Sequence, residues 1–115
     1  MNTKSLQKKI VDFVNRRDWK QFHNPKDLSI SLLLESSELL EHFQWKSQEE
    51  MDKLPKTPEF KEVKEELADI YYWTLLAAHY LDVNLEKEFL AKMKKNEKKY
   101  PVRKAKGSHK KYTEL

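Results

Sequence analysis

Apolar residues recur along this chain every three or four positions, and no stretch shows sustained apolar–polar alternation. That period predicts helices and no strand. The first helix is expected from about Thr3 to Arg17, with Leu6, Ile10, Phe13 and Val14 on one face and Asn2 or Thr3 as cap. A loop, Asp18–Asp27, separates it from a second helix reaching from Asp27 or Leu28 to Phe43 or Gln44. Leu32, Leu33, Leu39, Leu40 and Phe43 give the second helix its stripe. A polar connection, Ser47–Pro58, carries Pro55 and Pro58 and offers Thr57 as a cap for the next helix. This third helix, Pro58–Leu81, starts charged and turns apolar nearly all round after Asp69, so it needs partners on several sides. The fourth spans Asn84–Lys98 with Leu85, Phe89, Leu90 and Met93, and stops before Pro101. Residues 100–115 read as an irregular basic tail. The pattern therefore predicts an all-α, four-helix bundle-like fold. With 115 residues the chain is sized for one domain, 1–115.

Composition removes several chemistries. The only glycine is Gly107, which rules out Gly-rich phosphate loops, dinucleotide fingerprints and nucleophile elbows. The absence of Cys excludes disulfide scaffolds, thiolate zinc sites and cysteine nucleophiles. No apolar run reaches the roughly 20 residues of a membrane helix. The opening segment MNTKSLQKKI has no continuous apolar core of the kind a signal peptide needs. A cytoplasmic location is the expectation.

Charge is unevenly spread. The formal net charge is +4, yet Lys92–Lys111 holds ten basic residues and one acid, Glu97. The rest of the chain is therefore net acidic. A basic end calls for an anionic partner or a solvated tail, and an acidic body with clustered carboxylates suggests a cation site.

The acids fall into a pattern. Glu35-x-x-Glu38 lies in the second predicted helix and Glu66-x-x-Asp69 in the third. An i, i+3 step turns about 300°, so both members of each pair lie on one face, one turn apart. Glu35 follows Ser31-Leu32-Leu33-Leu34 and Asp69 precedes Ile70, so both pairs sit among apolar residues. Carboxylates facing a helix interface cost several kcal/mol, on the order of 3–5, unless neutralised. Two antiparallel helices would bring the four together around a hard divalent cation, for which Mg²⁺ fits best. Such a cation binds substrate phosphates, so the site would suit phosphate-anhydride hydrolysis. The same spacing also occurs on solvated helix faces, and the pattern alone leaves both readings open. A di-iron bundle would want Glu-x-x-His motifs, which neither pair supplies.

Aromatic residues flank these helices. Trp19 and His23 precede the second, Trp45 follows it, and Trp73 stands four residues after Asp69 on nearly the same face. They could wall a nucleobase beside a phosphate site or simply pack in the core. Lys92, Asn96 and their neighbours put positive charge at the end of the fourth helix, where a triphosphate would be attracted. No DNA- or RNA-binding motif accompanies that charge.

Together these residues resemble the all-α nucleoside triphosphate pyrophosphatases, the MazG-like proteins, whose hallmark is ExxE followed at moderate distance by ExxD. The likeness is nearer to the dCTP pyrophosphatase branch. It rests on Arg17-Asp18-Trp19, Gln21-Phe22-His23 and Pro25, on Phe43-Gln44-Trp45-Lys46-Ser47, and on Glu65-Glu66-Leu67-Ala68-Asp69. Lys92-Met93, Asn96, Tyr100-Pro101-Val102 and Lys111-Tyr112-Thr113 extend it, so that it covers roughly residues 5–115. The resemblance implies hydrolysis between the α and β phosphates, with Glu35, Glu38, Glu66 and Asp69 binding Mg²⁺. It implies that Trp19, His23, Trp45 and Trp73 line a base pocket and that Lys92 and Asn96 contact the phosphate or sugar end. It also implies a dimer or a dimer-based tetramer. Two departures stand out: Ser36 and Ser37 lie between the first two glutamates, and Trp73 stands where that branch has Tyr. The expected function is Mg²⁺-dependent cleavage of dCTP or a related modified dNTP. The alternatives are another base preference, such as dUTP, or a non-catalytic helical module that binds nucleic acid through the basic tail.

Overall fold

The computed structural model describes residues 1–115 and contains only helices and their connections. In chain order these are α1 (Thr3–Arg16), α2 (Pro25–Glu41), α3 (Gln48–Lys53), α4 (Phe60–Tyr80), α5 (Leu85–Lys99) and α6 (Val102–Ala105). Short 3-10 turns occupy Lys20–Phe22, Leu54–Lys56 and Tyr112–Glu114. The four expected helices are α1, α2, α4 and α5. Two differences lie in the connections. Ser47 closes a capping box with Glu50 and starts α3 inside the stretch expected to be an open connection. Thr57 does not cap α4: its hydroxyl donates back to the Leu54 carbonyl at 2.7 Å, and Glu59 holds the cap position without a side-chain bond. The basic tail is less irregular than expected, since it forms α6 and a terminal 3-10 turn.

Two compact units make up the chain, Met1–Asp82 and Val83–Leu115. In the first, α2 and α1 both pack on α4. Val14, Leu28 and Leu76 form the buried core, with Ile10, Tyr72, Trp73, Ala77 and Tyr80 against them. Fully burying one such leucine contributes about 1.5–3 kcal/mol. The Gln7 amide donates to the Leu75 carbonyl at 3.0 Å and pins α1 to α4. Leu28, early in α2, meets Leu76, late in α4, whereas the α2 carboxylates meet Glu66, early in α4. The two helices therefore run antiparallel, as the carboxylate pattern required.

With so little glycine, other residues take the left-handed backbone positions. Asp18 (φ 54°) ends α1 and Asp82 (φ 54°) ends α4, roles usually given to Gly or Asn. At α1 the Trp19 N–H returns to the Val14 carbonyl (3.1 Å) and the Asp18 N–H to Asn15 (3.2 Å), which is a Schellman closure. That reversal lays Trp19 edge-on against Phe13, ring centroids 5.6 Å apart.

In the second unit α5 starts from an Asn84 cap and buries none of its side chains; Phe89, Leu90 and Met93 are exposed. Tyr100 and Tyr112 meet edge to face at 6.1 Å, and the Lys99 ammonium sits 4.7 Å from the Tyr112 ring centre. No helix of the chain is long and apolar enough to cross a membrane.

Candidate functional site

The antiparallel pairing of α2 and α4 sets the acidic pairs against each other. Glu35, Glu38 and Glu66 each offer a carboxylate oxygen within 4.8 Å of the others. Asp69 lies outside that trio, one turn further along α4, where it lines a cavity together with Glu35. One oxygen of Glu35 and one of Glu66, both Oε2, are shut off from solvent without any hydrogen-bond partner. Buried acceptors of this kind are costly unless a cation or a proton satisfies them.

The electrostatics carry the same strain. Burial, then the neighbouring Glu38 carboxyl, then the charge on Asp69 push the Glu35 pKa up to about 7. Burial and then Glu38 also raise Glu66. No Lys or Arg forms an ion pair with any of the four acids. Oxygen-only, negatively charged and under-satisfied, this donor set fits a hard divalent cation.

Beside the acids opens a cavity of about 510 Å³. Glu35 and Asp69 form its polar wall; Phe13, Trp19, Tyr72 and Trp73 form its aromatic wall. The rings meet edge to face in a continuous series. Phe13 meets Trp19 at 5.6 Å and Tyr72 at 6.3 Å, and Tyr72 meets Trp73 at 5.0 Å. His23 prolongs the series, 6.0 Å from Trp73 and 5.7 Å from Tyr80, and its Nδ1 is hydrogen-bonded to the Tyr80 hydroxyl at 3.3 Å. Burial lowers the His23 pKa and raises that of Tyr80, which keeps both groups neutral near pH 7. Arg17 stacks over Phe13, 3.7 Å from its ring centre, and braces the wall from outside.

Of the residues singled out from the sequence, Glu35, Glu38 and Glu66 come together, and Asp69, Trp19 and Trp73 stand around the same cavity. His23 supports Trp73 without lining the cavity. Trp45 lies away from the cavity, at the end of the turn after α2, and is 91% exposed. Lys92 and Asn96 lie on α5, in the second unit.

α1 contributes to the site through side chains that the acid and aromatic motifs do not include. Ile10 and Phe13, expected on the apolar face of the first helix, line the cavity together with Lys9, and Ile10 also packs against the core. The signal was present: an i, i+4 pair of Lys9 and Phe13 next to an apolar stripe marks the border of a helix face.

Comparison with known proteins bears on this site. Residues 30–115 match the model of the MazG-like family. The chain is 41% identical over 106 residues to dCTP pyrophosphatase 1 of Bos taurus, covering 91% of this chain and 63% of that protein. It is 39% identical to dCTP pyrophosphatase 1 of Homo sapiens, of which it covers 62%. The chain thus spans less than two thirds of the length of these relatives. A solved pyrophosphatase from Archaeoglobus fulgidus superposes with a TM-score of 0.80 at 35% identity, over 85% of this chain and 91% of that one.

Proposed function

The chain belongs to the MazG-like family, and on that premise we propose that it is a Mg²⁺-dependent nucleoside triphosphate pyrophosphohydrolase acting on dCTP or a related modified dNTP. The products would be the nucleoside monophosphate and pyrophosphate, and the role would be cleaning of the cytoplasmic nucleotide pool. One observation carries the reading: two shielded carboxylate oxygens without partners, on facing helices, one of them on Glu35 in the lining of an aromatic cavity. The relatives named dCTP pyrophosphatase 1 support the choice of substrate.

Glu35, Glu38, Glu66 and Asp69 are the residues that would hold the metal. When bound, Mg²⁺ would offset phosphate charge and lower the pKa of a coordinated water. The chain's own groups do the positioning. Trp19 and Trp73 offer flat faces to a base, with Phe13 and Tyr72 closing the wall. Tyr80 fixes the His23 ring, whose edge abuts Trp73 and limits how that indole tilts. Lys9 supplies a cation to the cavity lining. Lys92 and Asn96 would serve the phosphate or sugar end. We read the two units as parts of one domain, because the family match runs across both.

Self-association, as a dimer or a dimer-of-dimers tetramer, belongs to the same proposal. Ile30, Leu33, Leu34 and Leu40 form an exposed stripe along α2, and Trp45 is displayed beyond it. An apolar face of this extent supports burial against another copy. A second reading concerns the base alone: Trp73 stands on the cavity wall with Asp69, where the resemblance leads one to expect Tyr, and its larger ring reshapes the slot, so that another base, as in dUTP, is the alternative substrate. Product analysis tests the reaction. Incubation of dCTP with the protein and Mg²⁺ should release dCMP and pyrophosphate in equal amounts; dCDP and orthophosphate would contradict it.

A further inference from the structure

The cavity lining carries few groups that can form hydrogen bonds. They are the Lys9 ammonium, the Glu35 and Asp69 carboxyls, the indole N–H groups of Trp19 and Trp73, and the Tyr72 hydroxyl. An ammonium and an indole N–H only donate, and an ionised carboxylate only accepts. A phenol does both, so Tyr72 alone in this lining offers a neutral group that works in either direction.

The Tyr72 ring is held from several sides. It meets Trp73 edge to face at 5.0 Å and Phe13 at 6.3 Å, and it packs against the buried cluster of Val14, Leu28 and Leu76. Asp69 precedes it by three residues on α4, hence on nearly the same helix face. The phenol therefore stands between a carboxylate and the stacking rings. Its hydroxyl forms no hydrogen bond within the chain, whereas Tyr80, two turns later, commits its own to His23 at 3.3 Å. Nor is the Tyr72 oxygen among the side-chain atoms shut off from solvent. A half-buried tyrosine usually finds a partner for its hydroxyl, and this one keeps it free at a cavity wall. Burial, and then Tyr80, raise the Tyr72 pKa above its ordinary value, so the hydroxyl keeps its proton at neutral pH.

Flat rings do not choose among bases, because every base has a face that stacks. Choice comes from a buried polar group that is left unpaired when the wrong ligand enters. We propose that Tyr72 is a specificity-determining residue whose hydroxyl hydrogen-bonds the polar edge of the nucleotide base, while the surrounding rings hold the base by stacking. A hydroxyl that donates or accepts by rotation serves a cytosine or a uracil edge and rejects a base without one. This inference rests on the pyrophosphohydrolase reading above, in which the cavity takes the base.

The test compares dCTP (or dUTP, should that be the better substrate) with the triphosphate of a difluorotoluene deoxynucleoside, which keeps a pyrimidine's shape without its hydrogen-bonding edge. In the wild type kcat/KM should favour the natural nucleotide at least about tenfold. Tyr72→Phe removes one oxygen and keeps the ring, so Tm should stay unchanged. It should lower kcat/KM for the natural nucleotide about tenfold, mainly through KM, and alter that of the isostere by less than about twofold. An equal fall for both substrates, or no fall for the natural one, overturns the proposal. So does a wild type that accepts both equally, a result that needs no variant to fold. Quenching of tryptophan fluorescence by dCMP separates the proposal from the functional reading, since it needs no turnover. Tyr72→Phe should weaken dCMP binding about tenfold, and unchanged affinity refutes the role of Tyr72 even in an active enzyme. A wild type that binds dCMP but hydrolyses no nucleotide refutes the functional reading instead, and the titration alone then decides Tyr72. A wild type that does neither overturns both.

Discussion

Glu35 on α2 and Glu66 on α4 face each other within 4.8 Å, and each keeps one oxygen buried without a hydrogen-bond partner. Two like charges at that range in a shielded place destabilise the metal-free protein. The sign follows from Glu35, whose pKa rises from 4.5 to about 7 on folding. Between these values the folded state binds more protons than the unfolded one, so stability falls as pH rises through that window. In EDTA, thermal denaturation should therefore show a lower Tm at pH 8 than at pH 5. Added Mg²⁺ should raise Tm at pH 8 and do little at pH 5, where the carboxyl holds its proton. Glu35→Gln should flatten both dependences. A metal-free Tm that climbs from pH 5 to pH 8 is the opposite of this expectation.

Glu38→Gln and Asp69→Asn should each cut kcat/KM by at least about a hundredfold while leaving the helical circular dichroism intact. Glu38 is exposed and belongs to the trio, whereas Asp69 stands at the cavity wall. Calorimetric titration with Mg²⁺ should show weakened binding in both. Wild-type turnover in either variant would remove that residue from the metal set.

Trp19 is placed by the left-handed Asp18 and lies on the cavity wall. Loss of a base-stacking ring costs about 1–3 kcal/mol. Trp19→Ala should therefore raise KM for dCTP by roughly 5- to 150-fold at nearly constant kcat. Trp73→Tyr should instead alter the ranking of bases. Nucleotide profiles that are superimposable before and after that change would exclude Trp73 from base selection.

The core makes a separate demand. Leu76 is 1% exposed and touches both flanking helices through Val14 and Leu28. Leu76→Ala should destabilise the fold by about 2–5 kcal/mol, read as a drop in denaturation midpoint. Leu33→Asp with Leu40→Asp, on the exposed stripe of α2, should spare the monomer fold. Sedimentation should then show a smaller species than the wild type; an unchanged mass would place self-association on another surface.

Much of this was legible in sequence because helical spacing is local. The i, i+3 steps of Glu35-x-x-Glu38 and Glu66-x-x-Asp69 are backbone geometry, and the run of Leu and Ala in α4 fixes which side is buried. Antiparallel pairing then follows from connecting α2 to α4. Other features depend on tertiary choice. Leu33 and Leu40 belong to the α2 stripe by spacing, yet the structure leaves both exposed, because that helix has a partner on one side only within this chain. The left-handed Asp18, Trp45 and Asp82 carry no glycine to announce them. The grip of Glu59 on His42 and Lys46 crosses α3 and two prolines, a closure that no local pattern reveals. Phe13 belongs to the apolar stripe of α1 by period, and its place on a cavity wall depends on how α1 packs against α4.

The central claim is that these helix-borne carboxylates support cleavage of a nucleoside triphosphate. Its most direct test is a panel of canonical and modified dNTPs, each incubated with wild-type protein and with Glu38→Gln, with Mg²⁺ or with EDTA, while pyrophosphate is measured. Pyrophosphate released by the wild type in Mg²⁺, highest for dCTP or a modified relative and abolished both by EDTA and by the substitution, is the predicted result. Folded wild-type protein that releases pyrophosphate from no nucleotide, or does so equally well in EDTA, would contradict it.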